Sequence, residues 1–180
     1  DQWYTVPLER DKERTFVPIN EMIVKVGERS FEKKQLRSLE QSYTKCPYFK
    51  DYFYLLENWY NHKSESLVVR NMDFIKSVNE LLDIKCEMVY ASELKVGGSS
   101  TEMLVNLLQT QNSTHYLSGA GGKDYQDETL YDATGIALLY NEYTVPHYHQ
   151  ANVKEHKAGL SIVDYLMNAG AGVIKKELYK

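Results

Sequence analysis

The sequence predicts an α/β fold: a parallel or mixed sheet flanked by helices, with a helical section at about 30–83. Two patterns carry that expectation. Between 85 and 143, short apolar runs alternate with helix-spaced segments, giving β-α-β-α-β, the order of a parallel sheet with crossover helices. Between 30 and 83, apolar residues recur at three- and four-residue intervals, the repeat of amphipathic helices. A chain of 180 residues can bury a sizeable core, and 1–180 is read as a single domain.

The elements follow in order. Trp3–Leu8 reads as a strand with Pro7 near its end, and Arg10–Arg14 as a charged turn. Ile19–Val26 alternates as a second strand, closed by Gly27. Ser30 stands as an N-cap before Phe31, Leu36, Leu39 and Tyr43, which share a helix face. Pro47 stops or restarts that helix. The aromatic cluster in Tyr48–Tyr60 has helical spacing, which favours core packing over a ligand platform. A long helix then runs from Ser64 to about Leu82, with Leu67, Val68, Met72, Ile75, Val78 and Leu82 on one side.

Lys85–Tyr90 reads as a strand, Thr101–Gln111 as a helix, and Thr114–Leu117 as the next strand. The loop Ser118–Gly122, a helix around Gln126–Thr134 and a strand over Ile136–Tyr143 complete the section. The last helix is expected over Ser161–Asn168, within a terminal block at 160–170.

Composition excludes several classes. Net charge is −4 and the pI about 5.8, so the chain lacks the basic footprint of a nucleic-acid binder. No apolar run reaches the roughly 18 residues of a membrane span, and no signal peptide is visible. Cys46 and Cys86 have no metal-like spacing, which points to a reducing compartment.

The most informative stretch is Ser113–Tyr125. Glycines at 119, 121 and 122 let backbone approach a ligand closely, and a following helix start would aim N–H groups at it, which suits a phosphate or carboxylate. The competing reading is a tight strand-to-helix turn that needs glycine for its backbone alone. The loop is neither G-x-x-x-x-G-K-[ST] nor G-x-G-x-x-G. Lys123 could neutralise an anion there, at a helix start that the dipole makes unfavourable for a solvated lysine. Gly97–Glu102 is a second glycine-hydroxyl loop at an expected strand end, either holding an anion through Ser100 and Thr101 or simply capping its helix. His147 and His149 flank Tyr148 after Pro146. The pair has no defined third ligand, so no metal site is predicted, and His147 is the available acid/base. No Ser-His-Asp arrangement, HExxH or nucleophile elbow is present.

Three blocks together resemble the WbqC-like family: Glu32–Phe49 (EKKQLRSLEQSYTKCPYF), Gly97–Tyr143, and Leu160–Gly170 (LSIVDYLMNAG). The resemblance runs in order along essentially the whole chain. The matching positions are Ser100, Thr101, Ser118, Gly119, Gly122, Lys123, Tyr125, Pro146, Tyr148, Gln150, Ser161, Asp164, Asn168 and Gly170. The family is bacterial and its namesake lies in an O-antigen biosynthesis cluster. The resemblance therefore implies a cytoplasmic protein of surface-polysaccharide or related amino-sugar pathways, with a nucleotide-activated amino sugar as small-molecule substrate and acyl-type transfer to its amine as the reaction. It further implies that the chain begins after the His-Gln-Pro segment that opens family members. Gln35 stands where the resemblance leads to histidine.

On this reading His147 is catalytic. Ser100, Thr101, Ser118, Gly119, Gly122 and Lys123 hold anionic oxygens, and Tyr125 and Tyr148 contact the sugar or base. Two other classes stay open: a non-catalytic nucleotide- or sugar-binding module, and an interaction subunit that docks a partner through the Tyr48–Tyr60 aromatics.

Overall fold

A computed structural model describes residues 3–9, 13, 16–25, 31–151 and 153–179. The expected N-cap Ser30, the strand end at Gly27 and most of the Arg10–Arg14 turn lie outside them. The fold is α/β, with seven α-helices and a parallel two-stranded sheet among the described residues. The chain divides into two compact units: Asp1–Cys86 with Pro146–Lys180, and Glu87–Val145.

The first unit is helical. It contains α1 (Phe31–Tyr43), α2 (Phe49–Tyr60), α3 (Leu67–Leu81), α6 (Ile162–Ala169) and α7 (Ala171–Leu178). Helix α2 is its centre because its apolar residues cover two faces. Phe53, Leu56 and Tyr60 pack with Leu39, Val163 and Met167, while Leu55 turns to Val78, Leu82, Leu166 and Ile174. The aromatic run is core, as its spacing predicts. The expected α3 face is only partly correct. Val78 and Leu82 are buried, but Ile75 is exposed and the buried polar residue of that helix is Arg70. Helix α7 was not legible behind Gly170 and Gly172. Gly170 makes it possible by taking φ +79°, a conformation that suits glycine, so the chain turns and starts a new helix at once.

Among the described residues the two expected amino-terminal strands are not formed. They share one antiparallel bridge, Leu8 with Val24, and a second bridge joins Ile23 to Ser66. Pro7 and Pro18 cannot donate to a ladder. Ile19–Glu21 closes instead into a 3-10 turn.

The second unit contains α4 (Ser100–Thr110), β1 (His115–Gly119), a 3-10 helix (Ala120–Asp124), α5 (Glu128–Asp132) and β2 (Ala137–Asn141). The strands are parallel, as predicted, with Leu117 opposite Leu139 and Ser118 opposite Tyr140. Val105 of α4, Tyr131 of α5 and Ile136 form the core beneath them. The expected strand Lys85–Tyr90 is not formed: the segment has no regular structure and no strand partner among the described residues, and five of its six residues are exposed. A strand needs a neighbour for its ladder groups, and β1 and β2 pair only with each other among the described residues. The predicted β-α-β-α-β section is therefore α-β-α-β, with the 3-10 helix between β1 and α5.

Candidate functional site

In the second unit, the glycine loop leaves β1 and becomes the 3-10 helix Ala120–Asp124. Its shape is fixed from inside. Ser118 is buried, and its hydroxyl donates to Gly119 O at 3.2 Å and accepts from Gln126 Nε2 at 2.9 Å. Tyr131, fully buried, donates to Gln126 Oε1 at 3.0 Å. Gly122 is buried against this pair; a Cβ there would lie 2.7 Å from Gln126 Nε2 and run into Ser118 Oγ. Glycine at 122 is thus a requirement of close approach.

The second loop meets the first. Thr101 is buried in the first turn of α4, and its hydroxyl accepts the Asp127 backbone N–H at 3.0 Å. Ser100 opens that helix at φ +51° and is exposed. The sequence readings of these residues therefore part ways. Ser118, Thr101 and Gly122 build the loop, whereas Ser100, Gly119, Lys123 and Tyr125 are on its surface. The Lys123 ammonium sits 4.9 Å from the centroid of the Tyr140 ring, a cation–π contact, and Tyr140 donates its hydroxyl to Glu128 at 2.9 Å. Gln126 and Tyr131 are the loop residues that sequence reasoning missed; the spacing of Gln126 and Tyr131 carries no motif.

In the first unit, a cleft of about 360 Å³ is lined by residues that include Tyr4, Tyr43, Cys46, Lys157, Asp164 and Asn168. Asp164 is buried in the first turn of α6, whose N-cap is Ser161. Its Oδ2 accepts the Tyr148 hydroxyl at 2.8 Å and Gln150 Nε2 at 3.1 Å. Tyr43 also hydrogen-bonds this carboxylate. Burial first, then the Asp164 charge, raise the Tyr43 pKa far above a tyrosine's usual value. The Cys46 thiol is pushed up to about 11, by burial and then by the same charge. Gln150 is fully used, since its amide also bonds Lys157 O at 2.9 Å and accepts Lys157 N at 2.8 Å. Asn168 donates to Asp164 O and accepts Ala151 N.

Sequence spacing explains the convergence. Asp164 and Asn168 are four apart on one helix face, and Tyr148 and Gln150 are two apart in an extended segment, so each pair faces one way. Tyr148 also stacks on Tyr165, with ring centroids 4.2 Å apart. His147 is exposed and lies against His156, centroids 4.3 Å apart; His156 Nε2 is buried and has no hydrogen bond. Gln35 is half-buried and structural: its amide donates to Thr5 O at 2.8 Å and its carbonyl accepts the Tyr60 hydroxyl at 3.0 Å.

The profile of the WbqC-like protein family matches residues 1–176. The chain belongs to that family. It is 25% identical over 171 residues to the uncharacterized protein Rv1507c of Mycobacterium tuberculosis, covering 94% of this chain and 73% of that protein. No solved structure matches it significantly. Four of the positions that carry the WbqC-like resemblance, Tyr148, Gln150, Asp164 and Asn168, meet in one buried polar network at the first unit's cleft. Among the described residues of this WbqC-like chain, no helix is long and apolar enough to cross a membrane.

Proposed function

We propose that this WbqC-like chain is a group-transfer enzyme of bacterial surface-polysaccharide or related biosynthesis, which acylates the amine of a nucleotide-activated amino sugar in the cytoplasm. The family's namesake, in an O-antigen cluster, supplies the pathway. The observation that carries a small polar substrate is the first unit's cleft: about 360 Å³, with the hydroxyls of Tyr43 and Tyr148 and the amide of Gln150 gathered on Asp164. That volume lies within the range of small-molecule pockets, roughly 300–1,000 Å³.

In this reading the amine nitrogen bonds to the acyl carbon of a thioester donor as the carbon–sulfur bond breaks. The amine attacks in its neutral form, after its ammonium proton has left to solvent; His147 takes the proton shed by nitrogen as the amide forms and passes it to the departing thiolate. Tyr148 orients the sugar. The second unit by itself offers a separate anion-binding loop, in which Ser100 and Gly119 face the oxygens of a phosphate, Lys123 balances their charge, and Tyr125 offers a stacking surface; Thr101, Ser118 and Gly122 keep that loop in shape.

A thermal-shift panel of nucleoside diphosphates, nucleotide sugars, acyl-coenzyme A donors and sugar phosphates tests it. The expected result is saturable stabilisation by nucleotide-activated amino sugars that is lost in Lys123→Ala. Stabilisation by none of them would reject the reading. One observation favours a non-catalytic binding module instead: Gln35, at the position where the resemblance leads to histidine, spends its amide on Thr5 and Tyr60. Binding of a nucleotide sugar without turnover would select that alternative.

A further inference from the structure

We propose that Asp164 is the amine-recognition residue of the first unit's cleft, its carboxylate taking the protonated primary amine of the ligand as its counter-ion. This deepens the reading above and rests on it for the identity of the ligand as a sugar. Asp164 is 7% exposed and lines the cleft. Buried carboxylates are normally paired with a cation, because an isolated charge is costly to desolvate. Among the described residues, no Lys, Arg or His is within ion-pair distance of Asp164. Its partners are the neutral hydroxyls of Tyr43 and Tyr148 and the neutral amide of Gln150.

These donors and the amino-terminal end of α6 offset part of the desolvation, and they hold the carboxylate in one orientation. They do not neutralise it. The remaining field is felt along the cleft wall, where it helps to raise the pKa values of Tyr43 and Cys46. A carboxylate has roughly four acceptor sites, so three neutral donors leave room for a further N–H. Lys157, the cation that lines the cleft among the described residues, is tied to Gln150 through its main chain, and the residue is exposed. The wall thus combines a buried carboxylate, a remaining acceptor position and the space of the cleft. A compact primary ammonium on a polar ring suits all three. A neutral hydroxyl at the same position would leave the charge uncompensated, and an N-acyl group would bring bulk without charge.

Calorimetric titration of the full chain tests the assignment with D-glucosamine, D-glucose and N-acetyl-D-glucosamine. Glucosamine is expected to bind at least about tenfold more tightly than either neutral sugar, a preference of roughly 1.4 kcal/mol. Asp164→Asn, which keeps the side-chain shape, is expected to abolish the preference, with its melting transition confirming a folded protein. The wild-type series decides the matter even if that variant does not fold: equal affinities for the three sugars, or no binding of glucosamine, overturn the assignment. A parallel titration with UDP-glucosamine and UDP-glucose separates the two proposals. Equal binding of both nucleotide sugars overturns the role of Asp164 and leaves the nucleotide-sugar reading in place. A preference for glucosamine over glucose with no gain from the nucleotide supports Asp164 and removes the nucleotide.

Discussion

Tyr148 donates its hydroxyl to Asp164 Oδ2 across 2.8 Å, while its ring stacks on Tyr165 of the same helix. One side chain thus links the segment after the second unit to α6 by both a polar and an aromatic contact. Removing the acceptor is the more damaging change. Asp164→Ala leaves the donors of Tyr43, Tyr148 and Gln150 facing a void, at a cost of about 3 kcal/mol, whereas Tyr148→Phe removes one hydrogen bond for about 1 kcal/mol. Urea denaturation of the two variants checks this order; equal losses would mean that the network does not act as a unit.

Gly122 and Ser118 make the second loop sensitive to a single methyl group. Gly122→Ala forces Ser118 and Gln126 apart and is expected to cost about 1–3 kcal/mol. Adding Ser118→Gly removes the nearest obstacle, so the double variant should recover part of the loss, a non-additivity that a double-mutant cycle reads directly. Strict additivity would show that the two residues do not collide.

Gly170 is held by two constraints. Its φ is +79°, and a Cβ there would lie 2.9 Å from the Tyr48 ring. Gly170→Ala is expected to destabilise by roughly 3 kcal/mol, from backbone strain and crowding together. Tyr48→Ala should relieve only the crowding. Thermal melts of the single and double variants test this, and a fully rescued double variant would place the whole cost in the ring contact.

The two cysteines should differ in reactivity, and Cys46 should link stability to pH. Cys46 is buried and its thiol is pushed up to about 11 from an ordinary 9.0, whereas Cys86 is exposed. The folded state therefore holds the Cys46 proton more tightly than the unfolded state. That stabilisation is present below about pH 9 and is lost as pH rises toward about 11. The urea midpoint should fall across that window by less in Cys46→Ala than in the wild type. At neutral pH, alkylation should modify Cys86 in the native protein and Cys46 only after unfolding; native labelling of Cys46 would contradict its burial.

Much of the helical framework was legible because its burial follows helical periodicity: Leu39 in α1, and Phe53, Leu56 and Tyr60 in α2. The parallel pair β1–β2 was legible for a related reason, two short apolar runs joined through a helix. The failures have their own physics. Lys85–Tyr90 has strand-like residues but no neighbour to complete a ladder, which no local pattern reports. Helix α7 follows Gly170 without a linker, and no local pattern marks its start. At the loop, the chemistry of Lys123 and Tyr125 was visible on the surface, but the structural duties of Ser118 and Thr101 depend on Gln126 and Asp127, which are distant in sequence from one or both. The cleft was invisible as a site because Tyr43, Gln150 and Asp164 come from three separated segments, although resemblance had already marked two of them.

The most direct test of the proposed activity is mass-spectrometric analysis of the full chain incubated with nucleotide-activated amino sugars and acyl-coenzyme A donors. The account predicts a nucleotide sugar heavier by the acyl group for at least one pair, with formation slowed at least about tenfold in His147→Ala, as removal of a general acid/base requires. Unchanged nucleotide sugars with every donor, from a folded chain that binds them, would contradict it.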